Sequence, residues 1–251
     1  MKFFKFVSIA NRSISIFEKI IPIIIVIMLI IICFVFRKKV IENDNNRNIK
    51  RLLFYMFVVT FILDYIFTYS QFGVHIDNLP LELCSLGAIC SMIALKNNNL
   101  KIIYFLEVIF LPAAFMAMVA PVTGGSYKYL QYYLFMINHG LTIFIPSYYI
   151  FAEKILPNVK QIFVSILILI VVAIVMCIFN TIFKTSYMFI SLVKNPFSVG
   201  IIGSLGEPPL YIIKLTILGI TILSLWGAVL LIIKYIINKI DDKNKKVSQI
   251  I

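Results

Sequence analysis

Charge is scarce in this chain. Only 14% of its 251 residues are Asp, Glu, Lys or Arg, against 61% that are hydrophobic. A soluble domain of this length needs far more polar surface, so a dispersed globular protein is excluded. Metal-ligand patterns are missing as well. The four cysteines, Cys33, Cys84, Cys90 and Cys177, sit singly in apolar runs with no CxxC and no Cys/His spacing. Neither a disulfide framework nor a zinc site follows, and no cofactor is implied. Glycine-rich and aromatic-interleaved basic tracts are absent too, so the net charge of +12 does not point to nucleic acid. The basic residues lie in short segments between apolar runs, the pattern of loops that fix topology beside anionic lipid. No internal repeat is present, which weakens an inverted-repeat transporter. No small-residue cleavage site follows the first residues, so 1–17 reads as an interfacial helix rather than a removable signal.

What is present is a series of apolar runs along the whole chain. The fold class expected is an all-α polytopic membrane bundle of about seven spans in a single membrane domain. The spans fall at roughly 18–36, 52–71, 79–95, 100–121, 128–152, 161–183 and 209–233, followed by a basic cytoplasmic tail, 234–251. The third run is short, and a six-span arrangement with that run re-entrant stays open. Fifteen of the 23 lysines and arginines fall on the inner side if the N-terminus is outside. A multi-pass cell-membrane protein with a cytoplasmic C-terminus is therefore expected. "ENDNNRN" (42–48) reads as a flexible loop. The long linker 184–208 should hold structure of its own and cover the outer mouth.

Each ionisable group inside a span asks for an explanation, because lipid penalises it by ~2.5–3.5 kcal/mol at mid-bilayer. Asp64, Glu82, Glu107 and His139 are such groups, with Gln131, Asn138, Thr142 and Asn180 as polar company. Counting ~1.5 Å per residue puts Cys84 and Glu82 within ~8 Å of the outer surface, Asp64 at ~10 Å and His139 at ~15 Å. An outward cavity would collect all four, whereas Glu107 belongs nearer the inner side, beside Lys101 or another helix. Pro80, Cys84, Gly87 and Ser91 share one helical face, with Pro80 suited to a first turn. Tyr132, Phe135, His139 and Thr142 share another. Thiol and imidazole would form a nucleophile–base pair if they meet; otherwise Cys84 is a small packing residue.

"LPLELC" at 79–84, "INHG" at 137–140, "FNTIFKTSYMFISLVKNP" and "GEPPLYI" together resemble the YwaF-like integral membrane proteins of bacteria, over about residues 60–215. The resemblance implies seven spans. A related group, the transmembrane protein 164 acyltransferases, moves acyl chains between glycerophospholipids with a cysteine and a histidine. By that resemblance His139 takes the histidine's role and membrane lipid is the substrate partner. In that group the cysteine is expected directly after the proline, followed by His; here Leu81 and Glu82 follow Pro80, and the thiol of Cys84 comes one turn later. That spacing implies either a displaced nucleophile, with Glu82 or Asp64 orienting the base, or no acyl transfer. The other classes are a small-solute or proton carrier using Asp64, Glu107 and His139, and an assembly partner without chemistry.

Overall fold

The computed structural model describes residues 3–4, 14–121, 126–192 and 203–248, and those residues form helices and turns with no strand among them. The expected interfacial helix at 1–17 falls mainly outside them. The helices are α1 (Ile16–Val35), a single turn α2 (Arg37–Val40), α3 (Asn43–Phe72) and α4 (Leu83–Asn97). They continue with α5 (Leu100–Val119), α6 (Leu130–Glu153), α7 (Val159–Phe183) and α8 (Leu210–Ser248). Six of them, α1, α3, α5, α6, α7 and α8, are long and apolar enough to cross a membrane. The chain is a polytopic helical membrane protein.

α6 is the axis of the bundle. Of its apolar window 78% is buried, against 6% for α1, 11% for α7 and 17% for α3 and α8. α1, α3, α4 and α5 all pack on it, so the outer helices turn their Ile, Leu and Val side chains to lipid.

The third expected span differs from the prediction. α4 has 15 residues, ~22 Å at 1.5 Å each, and starts at Leu83 rather than 79. Pro80 is therefore outside the first turn, in an extended stretch after the 3₁₀ turn Ile76–Asn78. Leu79 N–H donates to Tyr187 Oη and Tyr187 O–H donates to Ile76 O, so backbone bonds a helix would make internally go to another segment. The 42–48 stretch is a correction as well: it is not a loop but opens α3. Asn46 Nδ2 donates to Glu153 Oε1 (2.9 Å), Tyr148 O–H to Asn46 Oδ1 (2.7 Å), and Lys50 Nζ lies 2.5 Å from Glu153. Those long-range partners make a polar helical start tenable. Likewise 234–248 continues α8 as helix, with Lys154 paired to Asp241.

Two prolines show how the bundle repairs its helices. Pro22 cannot donate to the Glu18 carbonyl, and Tyr132 O–H takes that acceptor at 2.7 Å. In α5 the residues Leu106–Phe110 wind as a π-turn, because Leu111 N–H reaches back to Leu106 O instead of Glu107 O. Pro112, next in line, has no N–H to offer. The Glu107 carbonyl so released accepts Trp226 Nε1–H at 2.8 Å.

α4 and α5 form a tight hairpin through Asn98, whose φ of 50° is left-handed, and Asn99, whose side chain accepts from Lys101 N. A Cβ on Gly87 would meet Phe110 Cδ1 at 2.7 Å, so glycine permits this close approach.

Candidate functional site

The end of the bundle where α3 finishes and α4 begins holds a cavity of about 230 Å³. Asp64 and Tyr65 from α3, Cys84 and Ser85 from α4, and Asn138 and His139 from α6 line it. Three of the four site residues expected from sequence, Asp64, Cys84 and His139, thus share one space. Glu82 is not part of it.

Cys84 is the second residue of α4, after the N-cap Glu82. The first N–H groups of a helix have no intrahelical acceptor and carry the positive end of its dipole, so charge developing near this sulfur meets backbone donors. Ser85, the next residue, lines the cavity beside it. Ser85 Oγ is in turn 2.7 Å from Tyr65 Oη. Of the four cysteines only Cys84 is exposed; Cys33, Cys90 and Cys177 are half-buried.

His139 is 7% exposed. Its Nδ1 lies 2.8 Å from the Phe135 carbonyl, and its ring stacks on Phe135 with centroids 4.0 Å apart. A carbonyl only accepts, so Nδ1 carries the hydrogen and the neutral ring keeps its lone pair on Nε2. Asp64 does not orient this ring. It accepts instead from Asn138 Nδ2 at 3.3 Å. The group bonded to the ring is the Phe135 carbonyl, one turn earlier on the same helix.

A sequence model of the TMEM164 family matches residues 12–227. The chain belongs to the TMEM164 family. No curated protein and no solved structure matches it. The matched span contains every cavity residue and all the segments that carry the resemblance seen in the sequence.

In this TMEM164-family chain Glu82 has a different use. Its Oε2 accepts Met188 N–H at 2.9 Å, tying the 3₁₀ turn Tyr187–Phe189 to the start of α4. Met188 and Phe189 have φ of 56° and 61°, left-handed values unusual for side-chain-bearing residues. Asn180 of α7 holds the turn: its Nδ2 donates to Tyr187 O and Ile190 O, and its Oδ1 accepts from Thr185 Oγ1 and Tyr187 N. The expected cover at 184–208 is described for 184–192 and 203–208, and 193–202 lies outside the described residues.

Glu107 does not line this cavity. It is fully buried on the π-turn, and among the described residues neither carboxylate oxygen has a hydrogen bond; the same holds for Ser91 Oγ. Lys101 does not pair with it. Tyr65, Ser85 and the Phe135 carbonyl are the cavity features that sequence reading missed. A polar residue beside each named one, Tyr65 after Asp64 and Ser85 after Cys84, was the available signal. The carbonyl left no signal at all.

Proposed function

We propose that the chain is a membrane-embedded acyltransferase acting on glycerophospholipid acyl esters, with Cys84 as nucleophile and His139 as base. The observation that carries this reading is one cavity lined by both an accessible thiol and an imidazole whose Nδ1 is already occupied. Family membership supports it at the level of a TMEM164-family membrane protein.

His139 Nε2 takes the thiol proton as the sulfur attacks the ester carbonyl carbon. Negative charge grows on the carbonyl oxygen, near the first-turn N–H groups of α4. The C–O bond breaks, the leaving lysophospholipid oxygen receives the proton from Nε2, and the acyl chain stays on sulfur as a thioester. The hydroxyl of a second lysophospholipid then gives its proton to Nε2 and attacks the thioester. The C–S bond breaks and the sulfur recovers the proton, so one acyl chain has moved with no net redox change.

The purified chain in phospholipid vesicles with labelled lysophospholipid tests this reading. Label should enter the phospholipid pool with the native chain and not with Cys84→Ala or His139→Ala. Equal incorporation by all three rules the assignment out. The same reading puts the N-terminus outside the cell membrane and the cavity in the outer half of the bilayer. A membrane-impermeant maleimide added outside should then label Cys84 ahead of Cys33, Cys90 and Cys177, and labelling only from inside reverses the orientation.

The second reading is a proton or small-solute carrier using Asp64, Glu107 and His139. The buried Glu107 carboxylate, which accepts no hydrogen bond among the described residues, favours it, since ionisable groups inside the membrane mark transport paths. It predicts flux in proteoliposomes that disappears with Asp64→Asn or Glu107→Gln.

A further inference from the structure

A second recess lies at the opposite end of α3, ~22 Å from Asp64 by the 15 residues that separate it from Ile49. It holds about 250 Å³ at the elbow where α1 passes through α2 into α3, and Phe36, Lys39, Val40, Asn45, Asn48 and Ile49 line it. Its chemistry is divided. One cation and two amides stand at the rim, three apolar side chains form the rest, and no carboxylate lines it.

The apolar part runs on toward lipid. Asn45, Asn48, Ile49 and Leu52 lie on one face of α3 at offsets of three, four and seven, so that face turns from polar to apolar within two turns. Ile32 and Phe36, one turn apart at the end of α1, are both apolar, and Ile32, Phe36 and Leu52 are all exposed. α1 and α3 each pack on α6 and meet one another chiefly through α2.

Around the rim the charge is positive. Lys39 at the rim, with Lys38 beside it in sequence, is exposed and has no ion pair among the described residues; Arg47 and Arg51, also exposed, lie on another face of α3. The acids nearby are Glu42, which accepts from Asn45 Nδ2, and the exposed Asp44. Glu153 beneath is neutralised by Lys50. The elbow is also braced: Arg37 Nε donates to Ala152 O at 2.7 Å, and Asn45 Nδ2 donates to Lys39 O at 2.9 Å.

We propose that this elbow is a binding site for one anionic glycerophospholipid of the surrounding bilayer, separate from the cavity that holds Cys84. The headgroup phosphate sits against Lys39 and the Asn48 amide, and an acyl chain lies along the apolar face at Ile49 and Leu52. A cationic rim above an apolar floor suits a charged headgroup and its chain together, which neither a free anion nor a neutral chain satisfies.

Native mass spectrometry of the full chain in detergent, with phosphatidylglycerol and phosphatidylcholine added in equal amounts, tests this. The first lipid retained should be phosphatidylglycerol by at least threefold. Lys39→Glu should abolish that preference and Lys39→Gln should reduce it. Lys101→Glu removes the same charge from the nearby hairpin turn and should leave the preference intact. Equal retention of the two lipids in the native chain overturns the proposal. An equal loss in Lys101→Glu and Lys39→Glu overturns it too, because the effect is then net charge and not a site. Displacement of the lipid by millimolar inorganic phosphate overturns it as well, since the recess then reads a phosphate ion alone.

Discussion

The imidazole of His139 is held by the carbonyl of Phe135, one turn earlier on the same helix, with Nδ1 to oxygen at 2.8 Å and the two rings stacked. The orienting group is backbone, so it survives any change of the Phe135 side chain. If acyl transfer is the activity, His139→Gln should lower turnover by about 10²–10⁴-fold, the usual range for a lost general base. Phe135→Leu keeps the carbonyl and should cost far less. Turnover in vesicles by the two variants checks this; a larger loss in Phe135→Leu would mean that the stacked ring, not the carbonyl, sets the imidazole.

Gly87 packs on the ring of Phe110, and a methyl group there would overlap it at 2.7 Å. Gly87→Ala should therefore lower thermal stability by about 1–3 kcal/mol, as overpacking does. Phe110→Leu added to it should recover part of the loss. Gly219 in α8 has nothing within 4 Å of a Cβ, so Gly219→Ala serves as the control and should be neutral or mildly stabilising.

Glu107 keeps both carboxylate oxygens buried without a hydrogen bond among the described residues. A polar group in that condition costs about 1–3 kcal/mol, so Glu107→Met, close to it in volume, should raise the melting temperature. Trp226 bonds the backbone carbonyl, which this change leaves in place. A lower melting temperature would show that the carboxylate has a stabilising partner in the membrane.

Asn180 uses its amide as donor to two carbonyls and its oxygen as acceptor from two donors. Asn180→Asp has the same shape but replaces the donor by a second acceptor facing those carbonyls. It should destabilise the 185–190 turn at least as much as Asn180→Ala, by about 1–3 kcal/mol for each buried group left unpaired. Hydrogen exchange at Tyr187 and Met188 reads the effect locally. Faster exchange in Asn180→Ala than in Asn180→Asp would contradict it.

The convergence of Asp64, Cys84 and His139 was legible in sequence because depth in a membrane helix follows from counting residues, and all three counted into the outer half of the bilayer, at ~8 to ~15 Å. The helical bundle was legible for a related reason: lipid demands that backbone bonds close within each segment. Glu82 counted to the same depth as Cys84, but the partner it takes, the Met188 N–H, lies 106 residues away on a turn with no sequence signature. The stretch 43–48 was misread. Its asparagines favour turns in isolation, but Asn46 meets Glu153 and Tyr148 across the fold, and those contacts override the local preference. The elbow was invisible because its shape depends on how α1 and α3 diverge.

α4 is 15 residues long, and ~22 Å of helix stands against ~30 Å of hydrocarbon. The difference of ~8 Å is occupied by the extended 79–82 stretch and the Tyr187–Phe189 turn, whose polar backbone is tolerable there only while protein and not lipid surrounds it. The apolar helix on this flank is thus shorter than its neighbours, a difference that hydrophobic mismatch acts on. Bilayers of shorter acyl chains should seat that flank with less strain than thick ones, so chain length in the host membrane becomes a physical setting for how firmly the turn stays closed over the start of α4.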